Sequence, residues 1–500
     1  MPGTVSDDAK LRKQVARGVA WSGASQAIIA IADLVSQVLV LALWVPASDY
    51  GVAGVVLGLY TVFDYAVDLG VAPALIQRDD HTPEKVSTVF WFNLIMSGVL
   101  CLILAGLGPL LAMAHGHRVI GWLLFAYSGK LLLQNGFSIP MALLKKELRF
   151  AEVAKIRLVA HLAESVARIV FASMGWTIWC FTLAILTRAA VAALMAFWFH
   201  PFVPKLVFRP REVSDYVKFG ARSTGSQLLY QLYVNMDYQV VSLFFGSAAT
   251  GIYRMAYEVI LEPVRTITNV MTDVAFPAFA RMRHEPKKLH DQLIRFTRLN
   301  LVAVLPFLVV IALVGPEIMT LLFSGKEHPP EQLQLAGEIA RILSFVGVLR
   351  ALGYLGPPLL DGIGRPDLTL RYMITATLIV PTGFVLFAWL LGPVMGVHSV
   401  ALAWTVFYPI AFGVLAYQVV KTTALPVGAY LRASAGIAAC ALIAGVVGLG
   451  TRVLVDGLGT GARFGIVAGV TVVVMLTLLV TWQGFTPRSL KASLAGDPPA

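Results

Sequence analysis

The sequence predicts an all-α integral membrane protein with about fourteen transmembrane helices. Of its 500 residues, 58% are hydrophobic and only 13% are charged, and its mean hydropathy of +0.76 lies above the range of ordinary soluble domains. Apolar segments of about 20 residues, long enough to cross a bilayer, recur almost from end to end. They are too long and too continuously apolar for the alternating pattern of a β-barrel, which leaves a helical bundle.

The distribution of basic residues orients the predicted helices. Most of the Lys and Arg residues outside the apolar segments fall in alternate connections, and the first of these is the N-terminal arm. The opposite connections hold only Arg118, Lys326, Arg452 and Arg463. Because cytoplasmic loops are enriched in Lys and Arg, both termini are predicted to be cytoplasmic. The same bias accounts for the net charge of +11, so this charge does not indicate a nucleic-acid partner.

A weak internal repeat predicts two lobes. The segments "GVAWSGASQAIIAIADLVSQVLVLAL" near residue 18 and "GARSTGSQLLYQLYVNMDYQVVSLFF" near residue 220 share an initial Gly, a Ser-Gln pair and a central acid, Asp33 or Asp237. Their offset of about 200 residues corresponds to six helices, and an even number gives both copies the same orientation in the membrane. We therefore expect two parallel six-helix lobes around a central cavity, followed by two C-terminal helices.

The predicted boundaries follow from the polar connections. They give a cytoplasmic N-terminal arm at 1–17, a first lobe at 18–200 and a cytoplasmic linker at 201–217. A second lobe at 218–420, a C-terminal helix pair at 421–484 and a cytoplasmic tail at 485–500 complete the chain.

The fifth predicted helix carries an unusual polar stripe. In "RLVAHLAESVAR", Arg157, His161, Glu164 and Arg168 fall on one helical face, and most of the residues between them are apolar. A charge at the bilayer centre costs about 2.5–3.5 kcal/mol or more, so such residues line water or pair with partners. The eighth helix has a similar segment, "RMAYEVILEPVR", with Arg254 and Arg265 at its ends.

An arginine-rich cavity would suit an anionic, hydrogen-bonding cargo such as a sugar pyrophosphate, because guanidinium groups match phosphate oxygens in pairs. The predicted substrate contacts are Arg157, His161, Glu164, Arg168, Arg188, Arg254, Arg265 and Arg350. Acids within the membrane could take up H⁺ or Na⁺ as the coupling ion. These candidates are Asp33, Asp64, Asp237, Glu258 and Glu262. The alternative interpretation is that the same charges form structural ion pairs. We predict no catalytic residues, no metal site and no cofactor.

Three segments resemble a known family. "APALIQRDDHTPEKVSTVFWFNLIMSG", "VNMDYQVVSLFFGSAATGIYRMAYEV" and "VAFPAFARM" resemble parts of Wzx-type lipopolysaccharide and exopolysaccharide flippases. These belong to the multidrug/oligosaccharidyl-lipid/polysaccharide (MOP) superfamily, and the resemblance is to its colanic-acid-exporter-like branch. It implies a twelve-helix core with two additional C-terminal helices in the inner membrane of a bacterium. It also implies movement of an undecaprenyl-pyrophosphate-linked oligosaccharide from the cytoplasmic to the periplasmic leaflet by alternating access, next to polymerase and export proteins.

Three other functions remain open from the sequence. A similar fold could export drugs or small cations, although an arginine-rich cavity disfavours cations. The cargo could be lipid II, which shares the lipid carrier. A membrane glycosyltransferase or glycan polymerase would act on the same carrier, but the longest external connection, at 315–334, is short for a catalytic loop. If the flippase interpretation holds, replacing Arg157 or Arg265 by Ala should abolish export.

Overall fold

The computed structural model describes residues 25–68, 82–147, 149–325 and 327–485, and this part of the chain is almost entirely helical. The first six helices are α1 Ser25–Leu43, α2 Ala47–Asp68, α3 Pro83–Ala114, α4 Val119–Lys146, α5 Phe150–Ser173 and α6 Trp179–Phe199. The predicted N-terminal arm and the tail from residue 486 lie outside the described residues.

A break at Gly246 separates the next two helices. The continuous helical segment Pro210–Arg281 is interrupted where Gly246 adopts φ 84° and ψ 177°. This positive φ is accessible to glycine because it has no Cβ atom to clash with the backbone. The break defines α7 at 210–245 and α8 at 247–281.

The second half of the chain continues with helices of mixed length. It contains α9 Pro286–Phe323, α10 Pro330–Gly353, the short α11 Gly356–Gly362, α12 Pro366–Leu390, the short α13 Gly392–Met395, α14 His398–Thr423, α15 Val427–Leu454 and α16 Thr460–Thr481. Proline occupies the first turn of α9, α10 and α12, where its missing N–H would be unpaired in any residue. The described residues thus form fourteen long helices, which confirms the predicted fold class.

Nine of the described helices are long and apolar enough to cross a membrane, namely α1, α2, α3, α6, α9, α12, α14, α15 and α16. The other long helices, α4, α5, α7, α8 and α10, are more polar. They include the helices to which the sequence assigns most of its predicted site residues. The protein is therefore a multi-pass helical membrane protein whose polar side chains are concentrated on particular helices.

The chain forms two compact units. The first takes the chain up to Asn235 together with Gly246–Gly251, and the second takes Met236–Phe245 and the chain from Ile252 onward. In the first unit α4 packs against α2, α3, α5 and α6, and α5 packs against α6. In the second unit α10 and the C-terminal helices α15 and α16 all pack against α9. The lobe boundaries proposed from the sequence stay a prediction.

Candidate functional site

The polar stripe of α5 forms a connected set of side chains. His161 Nδ1 lies 3.6 Å from Glu164 Oε2, and Arg168 Nη2 donates to Glu164 Oε1 at 3.4 Å. Glu164 and Arg168 are buried, whereas Arg157 at the other end of the stripe is exposed. The stripe therefore has a paired end and an open end.

Helices α1 and α6 supply the partners of the buried end. Asp33 Oδ2 of α1 lies 3.3 Å from His161 Nδ1, and Ser165 donates to Asp33 Oδ1 at 3.2 Å. Arg188 of α6 donates to Glu164 Oε2 at 2.9 Å. Glu164 thus stands between two guanidinium groups, and the network ties α1, α5 and α6 together. This matches the structural ion-pair alternative for Arg168, whose role in binding stays a prediction.

A pocket of about 440 Å³ lies next to this network within the first unit. Side chains of α2, α4, α5 and α6 line it. Its ionisable lining residues are Asp64, Lys130, Lys145, Arg157, His161 and Arg188. We call this cavity the basic pocket, because four of these side chains are Lys or Arg and only one is an acid.

Lys130 is a pocket cation that the sequence interpretation missed. Its side chain is buried and forms an ion pair with Asp64. It also donates to Gln134 Oε1 at 2.7 Å, while the Tyr60 hydroxyl donates to Asp64 Oδ1 at 3.1 Å. Asp64 therefore acts as a counter-ion inside the pocket. A signal was present in the sequence, since Lys130 is a lone cation in the apolar run "LLFAYSGKLLL".

Arg157 differs from the other arginines of the site. It lines the basic pocket, and no described residue lies within hydrogen-bond or ion-pair distance of its side chain. Its guanidinium group can therefore offer all its donors to a ligand in the pocket. Arg188 also lines the pocket, but its charge is shared with Glu164.

In the second unit, Asp237 of α7 is fully buried and hydrogen-bonded. Its carboxylate accepts bonds from the Tyr238 backbone N–H at 2.9 Å, from the Tyr253 hydroxyl at 3.0 Å and from Trp404 Nε1 at 3.1 Å. These donors come from α7, α8 and α14. Asp237 thus joins three helices, and its predicted part in ion coupling is untested.

Arg350 of α10 lies in an aromatic enclosure and is 2% exposed. Its guanidinium group donates to the hydroxyls of Tyr257 and Tyr354, the latter at 3.1 Å. The Arg350 Cζ atom lies 5.1 Å from the centre of the Trp404 ring, within the range of a cation–π contact. Because Trp404 also donates to Asp237, the two charged residues share an aromatic neighbour.

The remaining predicted residues of α8 pair along their own helix. Arg254 donates to Glu258 at 2.7 Å, and the Arg254 Cζ atom lies 5.3 Å from the centre of the Tyr238 ring. Arg265 donates to Glu262 at 2.6 Å, and both of these side chains are more than 40% exposed. The charges of both arginines are thus matched by nearby acids.

An apolar groove of about 660 Å³ lies between α9, α10 and α15 in the second unit. Its lining is almost entirely aliphatic or aromatic and includes Leu305, Val309, Phe345, Leu442 and Leu449. Helix α15 of the C-terminal pair therefore contributes one wall of a surface that can take a hydrocarbon chain.

The helix arrangement matches a known transporter fold. A solved structure of the lipid II flippase MurJ in an inward closed conformation superimposes with a TM-score of 0.70 and 15% identity, covering 92% of this chain and 99% of that one. At this identity the likeness concerns the fold alone. The protein is thus a multi-pass helical membrane protein with a transporter fold, and its first unit contains a basic pocket.

The sequence places the chain within that class. Residues 40–328 match the family of polysaccharide biosynthesis proteins, and because this is more than half of the chain, the protein belongs to that family. The teichuronic acid biosynthesis protein TuaB of Bacillus subtilis (strain 168) is 27% identical over 81% of this chain and 85% of its own. The lipopolysaccharide biosynthesis protein WzxC of Escherichia coli (strain K12) is 26% identical over 73% of this chain and 74% of its own.

Proposed function

We propose that this protein flips an undecaprenyl-pyrophosphate-linked oligosaccharide from the cytoplasmic to the periplasmic leaflet of a bacterial inner membrane. Membership of the polysaccharide biosynthesis family and the likeness of its fold to a flippase support this function. The observation that carries the proposal is the basic pocket, in which Arg157 faces a cavity without a counter-ion among the described residues. A pyrophosphate supplies acceptors and negative charge that balance the excess of cations in this pocket.

The position of the basic pocket suits the uptake of a substrate. Lys145, at one end of the pocket, lies in the last turn of α4, beside a connection that the Lys and Arg distribution assigns to the cytoplasm. Lys130 lies near the middle of the same helix. A headgroup that enters past Lys145 would therefore meet Arg157 on α5 and then the more deeply placed Lys130 and Arg188.

The apolar groove between α9, α10 and α15 is our proposed contact for the polyprenyl chain. Its aliphatic lining offers no hydrogen bonds, so its contacts with a ligand are hydrophobic and non-directional. The substrate's partners in polymerisation and export would act after its release on the periplasmic side.

The membrane-embedded acids are our candidates for ion coupling. Asp33, His161 and Glu164 place potential ligand atoms within 4.8 Å of one another, but Arg168 and Arg188 already donate to Glu164 and oppose a bound metal cation. We propose protonation of Asp33 or Asp64 as the coupling step, with Na⁺ at Asp237, Glu258 or Glu262 as the competing assignment. No catalytic residue and no cofactor enter the proposal.

The test is complementation of a bacterial strain that lacks its own lipid-linked glycan flippase. The unsubstituted protein should restore export, and Arg157→Ala should abolish it at a normal membrane level. Lys155→Ala is a matched control, because Lys155 is an exposed cation on the same helix that does not line the basic pocket. Full export by Arg157→Ala would refute the assignment.

The same strain distinguishes the alternatives. A flippase leaves the lipid-linked unit on the cytoplasmic side when it is absent, whereas a missing polymerase lets single units reach the periplasm. Rescue of a strain without a lipid II flippase would identify lipid II as the cargo. A drug or cation exporter fits less well, because the basic pocket repels cations.

A further inference from the structure

Residues 200–209, which connect α6 to α7, form a non-helical segment held along the first turns of α3. Ser87 accepts a hydrogen bond from the Lys205 N–H at 3.0 Å, and Trp91 Nε1 donates to the Lys205 carbonyl at 2.8 Å. Thr88 accepts from the Arg209 N–H at 3.3 Å. We call residues 200–209 the strap. Because several of its backbone groups are hydrogen-bonded to α3 side chains, the strap is held at this end of α3.

One face of the strap is anchored by apolar packing. Phe202 packs against Val86, Val89 and Ile139, and its ring centre lies 6.0 Å from that of Phe90. This contact and the hydrogen bonds determine which side chains point away from the protein. Val203, Leu206 and Phe208 are 77%, 91% and 46% exposed, respectively. The fixed backbone prevents these residues from turning inward to bury their apolar surface.

The depth of the strap places it at a membrane boundary. Helix α3 has 32 residues, and at about 1.5 Å per residue it is roughly 48 Å long, more than the ~30 Å of hydrocarbon. Its first turn carries the charged Glu84, so we expect the excess length to bring this end, where the strap lies, to the headgroup region. The Lys and Arg distribution assigns this end to the cytoplasmic leaflet.

The charges of the strap select among lipids. Lys205 and Arg209 of the strap are exposed, and so is Arg211, which follows the strap in the first turn of α7. Lys205 also pairs with Glu84 at 2.5 Å, which positions its ammonium group at the strap. Cations next to exposed apolar side chains are typical of protein surfaces that bind anionic headgroups and insert into the upper acyl region.

We propose that the strap is a docking surface for anionic phospholipids of the cytoplasmic leaflet. Val203, Leu206 and Phe208 enter the headgroup–acyl boundary, and Lys205, Arg209 and Arg211 contact lipid phosphates. This interaction is separate from the basic pocket and does not depend on the transported substrate. The strap would thereby fix the connection between α6 and α7 to the membrane surface.

The charge test uses the full-length protein in micelles that contain phosphatidylcholine and phosphatidylglycerol. Native mass spectrometry counts retained lipids for the unsubstituted protein and for Lys205→Gln/Arg211→Gln. Each Lys or Arg near an anionic surface contributes about 1 kcal/mol of binding free energy. Losing two should therefore lower phosphatidylglycerol retention about tenfold or more and leave phosphatidylcholine retention unchanged.

The control variant is Lys287→Gln/Lys288→Gln. These exposed cations lie in the first turn of α9, and Lys288 pairs with Glu285 at 2.6 Å, much as Lys205 pairs with Glu84. Helix content and size-exclusion behaviour are compared for all three proteins, and only folded samples are counted. Equal phosphatidylglycerol retention in the strap variant and the unsubstituted protein, or an equal loss in the control, would overturn the proposal.

A second measurement tests the apolar side chains. It does not use the charge variant, so it remains valid if that variant fails to fold. Leu206→Cys is labelled with an environment-sensitive fluorophore, and the signal of the unsubstituted labelled chain is subtracted because Cys101 is partly accessible. In vesicles with phosphatidylglycerol the label should be protected from a water-soluble quencher. Equal quenching in vesicles and in detergent solution would contradict membrane docking. The strap would then be a candidate binding surface for a protein.

Discussion

Arg157 of the first unit and Arg350 of the second lie in contrasting environments. In the first unit, Arg157 lies at an open pocket without a partner among the described residues. In the second unit, Arg350 is enclosed by Tyr257, Tyr354 and Trp404, and Arg265 is matched by Glu262. The neighbours of a guanidinium group in a membrane protein therefore determine whether it binds a ligand or stabilises the structure. The presence of Arg in an apolar segment does not by itself distinguish these two roles.

The largest stability effect should come from removing Glu164. Glu164→Ala leaves Arg168 and Arg188 as a buried or half-buried pair of like charges, which should cost about 3–5 kcal/mol. Thermal unfolding in detergent measures this loss. Glu152→Ala on the same helix is the control, because Glu152 pairs with the partly exposed Arg149 at 3.4 Å and should contribute less than about 1 kcal/mol. Similar unfolding temperatures for both variants would contradict a stabilising role for the ion-pair network around Glu164.

The aromatic enclosure of the second unit should depend on the Trp404 indole. Trp404→Phe removes one of the three hydrogen bonds to the buried Asp237 carboxylate and should destabilise the protein by about 1–3 kcal/mol, the range for a hydrogen bond to a charged group. Trp389→Phe serves as the matched control, since Trp389 is exposed. The same unfolding assay applies, and an unchanged Trp404→Phe protein would contradict the role assigned to this hydrogen bond.

The Asp64–Lys130 pair tests whether the basic pocket is itself partly architectural. Lys130→Met leaves the Asp64 carboxylate unpaired and should cost about 1–3 kcal/mol, whereas Lys130→Met combined with Asp64→Asn should recover most of this loss. A double-mutant cycle by thermal unfolding measures the coupling. Additive losses would show that the pair contributes no stability.

The smallest stability effect is expected at Arg265. Its pair with Glu262 is more than 40% exposed on both sides, so Arg265→Ala should change stability by less than about 1 kcal/mol. Since its charge is matched by Glu262, we also expect a smaller loss of export than for Arg157→Ala. Complementation with both variants compares them directly, and a complete loss at Arg265 would place this residue on the substrate path.

In this protein the sequence predicts the helices better than it predicts which side chains contact each other. Length, hydropathy and the placement of polar connections are local properties, so the fourteen long helices could be predicted. The contacts of Asp33 with Ser165 and of Trp404 with Asp237 join residues that are 132 and 167 positions apart. Such pairs depend on tertiary packing, and for this reason the distinction between the open Arg157 and the paired Arg168 could not be derived from one helical face.

The direct test of the central claim is binding of a short-chain prenyl pyrophosphate to the purified protein in nanodiscs, measured by calorimetry. We predict that Arg157→Ala weakens binding about tenfold or more, as expected for the loss of a charge-assisted contact, and that Lys155→Ala leaves it unchanged. Equal affinity of Arg157→Ala and the unsubstituted protein would contradict the assignment of the basic pocket as the headgroup site.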